Sequence, residues 1–134
     1  MEISIKNNFV WLNEYNIGHD TVDQQHQYLF YLANRIVNPY NDQQTTHHNV
    51  VALYQYVREH FRDEELLMKQ CLYPCYEVHV KQHDLLTKRL DKISCGILTE
   101  ETSTEEVGQF MNNWLLVHIL GEDMKFGNFL NATN

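Results

Sequence analysis

Glycine and proline are both scarce in this chain, which has five glycines and two prolines among 134 residues. With so few glycines, the sequence contains no Gly-rich phosphate-binding loop, no nucleophile elbow and no dinucleotide-binding fingerprint. Phosphate and nucleotide chemistry are therefore not expected. The length is typical of one domain that buries its own core, and we predict a single domain over residues 1–134.

Positive charge is scarce as well. Ten lysines and arginines are set against 18 aspartates and glutamates, which gives a formal net charge of -8 with neutral histidines. Such a surface repels nucleic acid phosphates and anionic lipids, so neither nucleic acid nor membrane is expected as a partner. No run approaches the roughly 18 apolar residues of a transmembrane helix. The first residues lack the pattern of a signal peptide, and we expect a cytoplasmic protein.

The three cysteines, Cys71, Cys75 and Cys95, do not form an even set, and nothing in the sequence indicates secretion. A disulfide framework is therefore not expected, and reduced thiols are the better interpretation. A zinc site built on Cys71 and Cys75 is the alternative. The usual zinc finger contains two such pairs, whereas this chain has one.

Two segments rich in turn-forming residues divide the chain, at residues 38–42 and at Tyr73-Pro74. We interpret Pro74 as lying in the first turn of a helix, Gly96 as the C-terminal cap of that helix, and Ser103-x-x-Glu106 as a capping box that opens the next. We predict an all-α protein, an up-down-up-down antiparallel four-helix bundle. Its predicted parts are an N-terminal arm packed on the bundle (1–19), helices at about 20–37, 47–70, 74–95 and 104–121, and a short C-terminal segment.

Apolar residues recur at helical spacing in each predicted helix, and each of these stripes also contains residues that can bind a metal. The first stripe places His26 between Val22 and Leu29, at steps of four and three residues. The inward polar residues of the other three stripes are His60 with Glu64, His79 with His83, and His118.

A lone histidine on an apolar face is most often a core residue with a hydrogen-bond partner. Several buried polar side chains on four stripes are different, because each would cost several kcal/mol without compensation. A structural polar network is the alternative interpretation. Metal coordination accounts for the whole set, and we predict a metal site in the middle of the bundle.

Asp123 is the candidate ligand that does not follow the helical pattern. It comes five residues after His118, and on an ideal helix that spacing turns the two side chains about 140° apart. Both can face one metal only if the helix is distorted between them. Gly121 lies in this interval, and locally widened helices are often found at functional sites.

The number of ligands indicates which metal is bound. Five imidazoles and two carboxylates exceed one tetrahedral zinc site and suit two iron ions. If both carboxylates and a solvent-derived group bridge, a three-to-two division of the histidines leaves one coordination position open. Di-iron oxygenases and ferritins use Glu-x-x-His pairs, which this sequence lacks. A nitrogen-rich site stabilises high-valent iron less well, so oxygen binding is favoured over oxygen activation.

The other histidines and acids near these positions are expected to lie outside the ligand set. We predict solvated or helix-capping roles for three histidines and surface positions for two acids: His19, His47, His48, Asp63 and Glu65. Asp23 lies three residues before His26 and can orient that ring as an outer hydrogen-bond acceptor. A solvated position is the favoured alternative for Asp23.

The ligand pattern resembles the hemerythrin family in its single-domain bacteriohemerythrin type. The segments that carry the resemblance are Ile17-Gly18-His19-Asp20, Asp23-Gln24-Gln25-His26, His60-Phe61-Arg62-Asp63-Glu64-Glu65, Tyr73-Pro74, His79-x3-His83 and His118-x4-Asp123. All seven ligand positions of the family are filled, and the His118-x4-Asp123 spacing is the family's own.

The resemblance implies a non-haem di-iron site that binds dioxygen reversibly, with Glu64 and Asp123 bridging both irons beside an oxo or hydroxo group. It assigns His79, His83 and His118 to the saturated iron, and His26 and His60 to the open one. It also implies a dry oxygen pocket formed by Leu29, Phe61, Trp114 and Leu115. Ordinary core packing is the alternative role for those four residues.

Three functions are compatible with such a site. The preferred one is an oxygen-binding protein, not an enzyme, that stores dioxygen or delivers it to an oxygen-consuming enzyme. An oxygen or redox sensing module is the second, although no coiled coil or output domain is recognised in the sequence. A di-iron enzyme that reduces peroxide or nitric oxide is the third, and the missing carboxylates argue against it. The resemblance favours a monomer.

Overall fold

The structure, a computed structural model, describes residues 9–132, except for the side chain of Trp114. A short 3-10 turn at Asn13–Tyr15 precedes four helices, and the described residues contain no strand. The helices are α1 (Asp20–Ile36), α2 (Gln43–Gln70), α3 (Tyr76–Leu98) and α4, which runs through residues 105–132 in five consecutive segments. The predicted all-α antiparallel four-helix bundle is confirmed.

The starts of α1 and α2 are set by side-chain caps. His19 caps α1, since its Nδ1 accepts the Val22 N–H at 3.3 Å. This is one of the two roles expected for His19. At α2, an oxygen of Asp42 accepts the Thr45 N–H at 2.7 Å. This cap starts the helix at Gln43, four residues before the predicted position.

The bounds of α3 differ from the prediction at both ends. The helix begins at Tyr76, so Pro74 precedes it and is not in its first turn. It ends at Leu98, and Gly96 is not its cap. Glu100 instead adopts a φ of 63°, and the Glu101 N–H donates to the Gly96 carbonyl at 2.8 Å. This is a Schellman ending with glutamate in the left-handed position where glycine is usual.

The last helix is longer than predicted and starts without the predicted capping box. Thr104 is its N-terminal flanking residue and makes no side-chain cap, while Glu106 is bonded to Ser103 only through the backbone. The helix continues to Ala132, so the predicted separate C-terminal segment is part of it. Two stretches are π-helical, at Phe110–Leu115 and Ile119–Asp123.

Two hydrogen bonds with one asparagine side chain hold the described part of the N-terminal arm against α1. The Asn34 side chain accepts the Phe9 N–H at 2.6 Å and donates to the Phe9 carbonyl at 2.9 Å. Trp11 packs edge-on against Phe30, with ring centroids 5.1 Å apart. The arm therefore packs on the bundle from residue 9 onward, and residues 1–8 of the predicted arm lie outside the described residues.

Two apolar clusters fill the bundle, one toward each end. The larger contains Leu53 and Val57 of α2, and the smaller contains Met68 of the same helix. His60 and Glu64 lie between them along α2, so the polar residues occupy a layer enclosed by apolar side chains on both sides. Within residues 9–132, none of the helices combines the length and apolar character that crossing a membrane requires.

Candidate metal centre

All seven predicted ligands meet in this middle layer. Each helix contributes one or two of them from the face that it turns toward the core, and each side chain is almost completely buried. The most exposed of the seven is His118, at 6%. The structure brings together His26, His60, Glu64, His79, His83, His118 and Asp123 in two groups that can hold metal ions.

The first group contains three histidines, which we call the three-histidine half: His79, His83 and His118. Oε1 of Glu64 lies 2.8 Å from Nε2 of His79 and 3.1 Å from that of His83. Oδ1 of Asp123 lies 2.9 Å from Nε2 of His79 and 3.1 Å from that of His118. Five ligand atoms thus converge within 4.8 Å of one another.

The second group, the two-histidine half, contains His26 and His60. Oε2 of Glu64 lies 3.7 Å from Nε2 of His26 and 3.5 Å from Nε2 of His60. Oδ2 of Asp123 lies 3.2 Å from Nε2 of His26. Both carboxylates therefore present one oxygen to each half, which is the arrangement that two bridged metal ions require.

The buried polar atoms of this layer are poorly satisfied by hydrogen bonds. Six ring or carboxylate atoms that face the cluster have no hydrogen-bond partner among the described residues: His26 Nε2, His60 Nε2, His83 Nε2, Glu64 Oε2, Asp123 Oδ1 and Asp123 Oδ2. In addition, Nε2 of His79 and Nε2 of His118 face each other at 3.2 Å. Such atoms are costly to bury without partners, and metal ions between them would satisfy all of them. The residues present therefore fit the metals.

The electrostatics favour positive charge at the same place. Burial lowers the pKa of His26, but the nearby Asp123 and Glu64 carboxylates outweigh it and raise that pKa to about 9. The same balance raises the pKa of His79 to about 9. At His60 burial dominates and lowers the pKa to about 4. The two carboxylates thus favour positive charge at His26 and His79, and metal ions would supply it.

The carboxylates stay ionised despite their burial. Burial and the charge of Asp123 would raise the pKa of Glu64, but the close imidazoles of His26, His79 and His83 hold it well below its usual range. Buried carboxylates that remain charged are the form that binds metal.

A widened helical turn brings Asp123 into the cluster. The Met124 N–H bonds to the Ile119 carbonyl, five residues earlier, which is the π-helical pattern. The wider turn places His118 and Asp123 on one face, although an ideal α-helix would separate them. The distortion that the sequence requires near Gly121 is therefore present.

His60 is held from outside by a two-step chain of hydrogen bonds. Its Nδ1 lies 2.8 Å from Oε1 of Gln25, and Nε2 of Gln25 donates to Asp63 at 3.1 Å. Because the Asp63 carboxylate can only accept, the Gln25 oxygen faces the ring, and the proton of His60 is on Nδ1. Its Nε2 is then free to bind a metal.

His83 is held in a different way. Its Nδ1 lies 2.7 Å from Oε2 of Glu65, whose side chain is 25% exposed. The Phe61 ring stacks on the His83 ring, with centroids 3.8 Å apart and planes within 5°. We predicted Glu65 as a surface charge, but it is partly buried and contacts His83. The prediction was wrong because a flanking residue can reach a ligand on the neighbouring helix.

A sequence model of the hemerythrin HHE cation binding domain matches residues 17–130 of the chain, a span that contains all seven residues of the cluster. The chain belongs to the hemerythrin family. Most of the described bundle lies within the matched region.

Curated relatives in this family match the chain over most of their lengths. The bacteriohemerythrin of Stenotrophomonas maltophilia is 29% identical over 125 residues, which cover 92% of this chain and 82% of that protein. The myohemerythrin of Theromyzon tessulatum is 24% identical over 126 residues, which cover 94% of this chain and 97% of the relative. A crystal structure of a hemerythrin variant has a TM-score of 0.81 at 22% identity and covers 91% of this chain and 96% of that chain. The bundle fold is thus shared with a solved hemerythrin.

Asp23 neither orients His26 nor lies in solvent, the two roles that the sequence suggested. It is 7% exposed, and its carboxylate accepts the Ile17 N–H at 2.7 Å and the Gly18 N–H at 3.2 Å. The chain turns at Gly18, where φ is 95°, and this turn aims both amides at Asp23. Asp23 therefore anchors the arm, and it is neither solvated nor engaged by His26. Within this hemerythrin domain it has a structural role.

The other histidines, the cysteines and the apolar residues singled out in the sequence do not belong to the seven-residue cluster. His47 is half-buried and His48 is exposed, and neither is part of the cluster. Cys71, Cys75 and Cys95 are free thiols, and none of them is in a metal-capable group among the described residues. Leu29, Phe61 and Leu115 are buried in the larger apolar cluster, while the side chain of Trp114 lies outside the described part of the chain.

Proposed function

We propose that the chain binds dioxygen reversibly at a non-haem di-iron centre and serves to store or deliver oxygen. The proposed ligands are the three-histidine half for one iron and the two-histidine half for the other, with Glu64 and Asp123 bridging. Two ferrous ions would supply two electrons to dioxygen and recover them on its release. The protein is then an oxygen-binding protein and not an enzyme, in keeping with its hemerythrin relatives.

The unequal division of the histidines is the observation that carries this proposal. Three ring nitrogens and two carboxylate oxygens surround one position, whereas two ring nitrogens and two carboxylate oxygens surround the other. A shared solvent-derived bridge would bring these sets to six and five ligands. The open coordination position then lies in the two-histidine half, beside His26 and His60, and is the place for a small ligand.

The residues that the resemblance assigns to the oxygen pocket support oxygen binding over oxygen activation, because they are buried and apolar. Leu29 and Leu115 are at most 1% exposed, and Phe61 is 4% exposed. Such residues exclude water, which would otherwise promote loss of bound oxygen as peroxide. The charge balance also suits a neutral ligand. Two ferrous ions, two carboxylates and one hydroxide leave a single positive charge within neutral imidazoles.

The proposal is tested by loading the protein with ferrous iron under argon and following its absorption. We expect two irons per chain, and a visible band that appears in air and disappears under vacuum over repeated cycles. Conversion to the diferric form in the first exposure to air would contradict reversible binding.

Two controls separate the other candidate functions. Sustained consumption of hydrogen peroxide or nitric oxide by the loaded protein, with many turnovers per iron, would indicate an enzyme. Iron content below two per chain in a folded protein would overturn the di-iron assignment itself. An Asp123→Asn variant carried through the same cycles should show no reversible band.

A further inference from the structure

Two of the five inward imidazoles have a side-chain acceptor on the nitrogen that faces away from the cluster, one in each half. In the two-histidine half, Nδ1 of His60 is paired with the amide oxygen of Gln25 at 2.8 Å. In the three-histidine half, Nδ1 of His83 is paired with the carboxylate of Glu65 at 2.7 Å. The acceptors are nearly isosteric side chains, but one is neutral and the other is charged.

An acceptor at Nδ1 affects how strongly the imidazole donates electrons through Nε2. When Nε2 binds a metal, Nδ1 keeps its proton, and an acceptor that draws on this proton makes the ring a more basic ligand. A hydrogen bond to a charged group is roughly twice as strong as one between neutral groups. His83 is therefore the stronger electron donor of the pair, and it donates to the three-histidine half.

The packing around each acceptor preserves this difference. Phe61 covers one face of the His83 ring, so the Glu65 contact is made at the edge of an apolar stack. Glu65 is also three-quarters buried, which limits screening of its charge by water. On the other side, the charge of Asp63 reaches His60 only through the Gln25 amide, and Asp63 is exposed. Solvent screens the more distant charge.

We propose that Glu65 and Gln25 are positioning residues that make the two halves unequal in electron supply. Glu65 stabilises the ferric state in the three-histidine half. The neutral Gln25 leaves the two-histidine half, which has the open position, easier to return to the ferrous state when a reversibly bound ligand is released. This inference rests on the di-iron centre of the proposed function and adds how its two irons are differentiated.

The test exchanges the two acceptors one at a time. Glu65→Gln removes the charge from the three-histidine half, and Gln25→Glu adds one to the two-histidine half, each at nearly constant size. In an optical redox titration of the iron-loaded protein under argon, Glu65→Gln should raise the midpoint potential and Gln25→Glu should lower it. Glu101→Gln, an exposed residue between α3 and α4 with the same loss of charge, should leave the potential unchanged.

A second measurement uses metal affinity in place of potential. Metal-free protein is titrated with Co²⁺ and the binding is followed by absorption. Mutation of an outer hydrogen-bond partner typically weakens metal binding about 10-fold to 100-fold. Because glutamine keeps an acceptor oxygen and loses only the charge, we expect Glu65→Gln to weaken binding by about 10-fold, at the lower end of this range. Glu101→Gln should bind like the wild type, and Gln25→Glu should bind no more weakly.

The outcomes distinguish this inference from the proposed function, because neither measurement uses dioxygen. The inference is overturned if the potential shifts in the same direction in Glu65→Gln and Gln25→Glu. It is also overturned if Glu65→Gln matches the control Glu101→Gln in both measurements. Circular dichroism of each variant checks that the bundle is folded, and if Glu65→Gln does not fold, Gln25→Glu alone decides by the sign of its shift. Opposite shifts in a protein that does not bind oxygen reversibly would support the inference and contradict the proposed function.

Discussion

At the scale of single residues, one position along α4 decides whether a carboxylate reaches the buried cluster of candidate ligands or the solvent. Asp123 is 1% exposed and contacts histidines of both halves, whereas its neighbour Glu122 is partly exposed and is not part of either metal-capable group. The two residues therefore form a natural matched pair for testing the bridging role.

Asp123→Asn should lower the iron content from two per chain toward one. Asparagine keeps the shape of the side chain and one oxygen, but it lacks the charge and the second oxygen that a bridge needs. The measurement is iron per folded chain after anaerobic loading and gel filtration. Glu122→Gln is the control and should retain two irons, and an Asp123→Asn variant that also retains two would remove Asp123 from the bridging role.

Leu115→Ala should speed the autoxidation of the oxygen-loaded protein about fivefold. The substitution opens space three residues before His118 and admits water, and a hydrogen bond from that water is worth about 1 kcal/mol, which corresponds to roughly this change in rate. The rate is measured as the decay of the oxygen-dependent band in air-saturated buffer.

Leu53→Ala is the matched control for Leu115→Ala. Both leucines are 1% exposed, and both substitutions should cost about 2 to 5 kcal/mol of stability. Leu53 lies seven residues before His60, about 10 Å along the helix axis, so water at that position does not reach the cluster. Equal autoxidation rates in the two variants would show that lost stability, and not a local pocket, controls the reaction.

The sequence predicted the inner residues of the site far better than the outer ones. Helical phase alone identifies six of the seven cluster residues, because all six follow the apolar stripes of their own helices. The contacts of Gln25 with His60 and of Glu65 with His83 join different helices. They depend on how far each helix is rotated against its neighbour, and spacing within one helix carries no information about that rotation.

At the scale of secondary structure, the ends of the helices were the least predictable part. Both α2 and α3 end in Schellman motifs whose left-handed residues are Leu72, at a φ of 56°, and Glu100, at a φ of 63°. Neither residue favours that conformation, so no glycine marks these ends in the sequence. The π-helical turn before Asp123 was predictable because the His118-x4-Asp123 spacing fits no undistorted helix.

Two glycines of α4 should respond in opposite ways to replacement by alanine. A Cβ at Gly121 would have no atom within 4 Å, and Gly121→Ala should stabilise the protein by about 0.5 to 1 kcal/mol. A Cβ at Gly127 would collide with the Ile17 carbonyl oxygen and lie 2.8 Å from Cβ of Ile17. Gly127→Ala should therefore destabilise it by about 1 to 3 kcal/mol.

Denaturant unfolding of the metal-free variants measures both effects. We also expect Gly121→Ala to bind two irons, since Gly121 is not among the residues with a positive φ, and alanine can adopt its backbone conformation. A loss of iron binding in this variant would instead assign the widened turn to Gly121. A stable Gly127→Ala variant would contradict the close packing of the N-terminal arm against α4.

At the scale of the whole molecule, the position of the site follows from the arrangement of the core. Apolar clusters at both ends of the bundle hold the helices together, and the polar layer lies between them. The position of the polar layer was predictable because each helix has apolar residues on either side of its candidate ligands. The layer itself contains two ionised carboxylates and several unpaired ring nitrogens, so it weakens the bundle until cations enter.

Metal loading should accordingly raise the melting temperature of the whole bundle. The paired ligand sets exist only in the folded chain, so a metal at 1,000 times its dissociation constant stabilises that chain by about 4 kcal/mol. For a domain of this size, the gain corresponds to a rise of roughly 10 to 20 °C. Thermal unfolding under argon, with ferrous iron and then with excess chelator, measures the difference. Asp123→Asn should lose most of the iron-dependent rise in melting temperature, and the control Glu122→Gln should keep it. Equal melting temperatures with iron and with chelator would show that the layer is stable without metal.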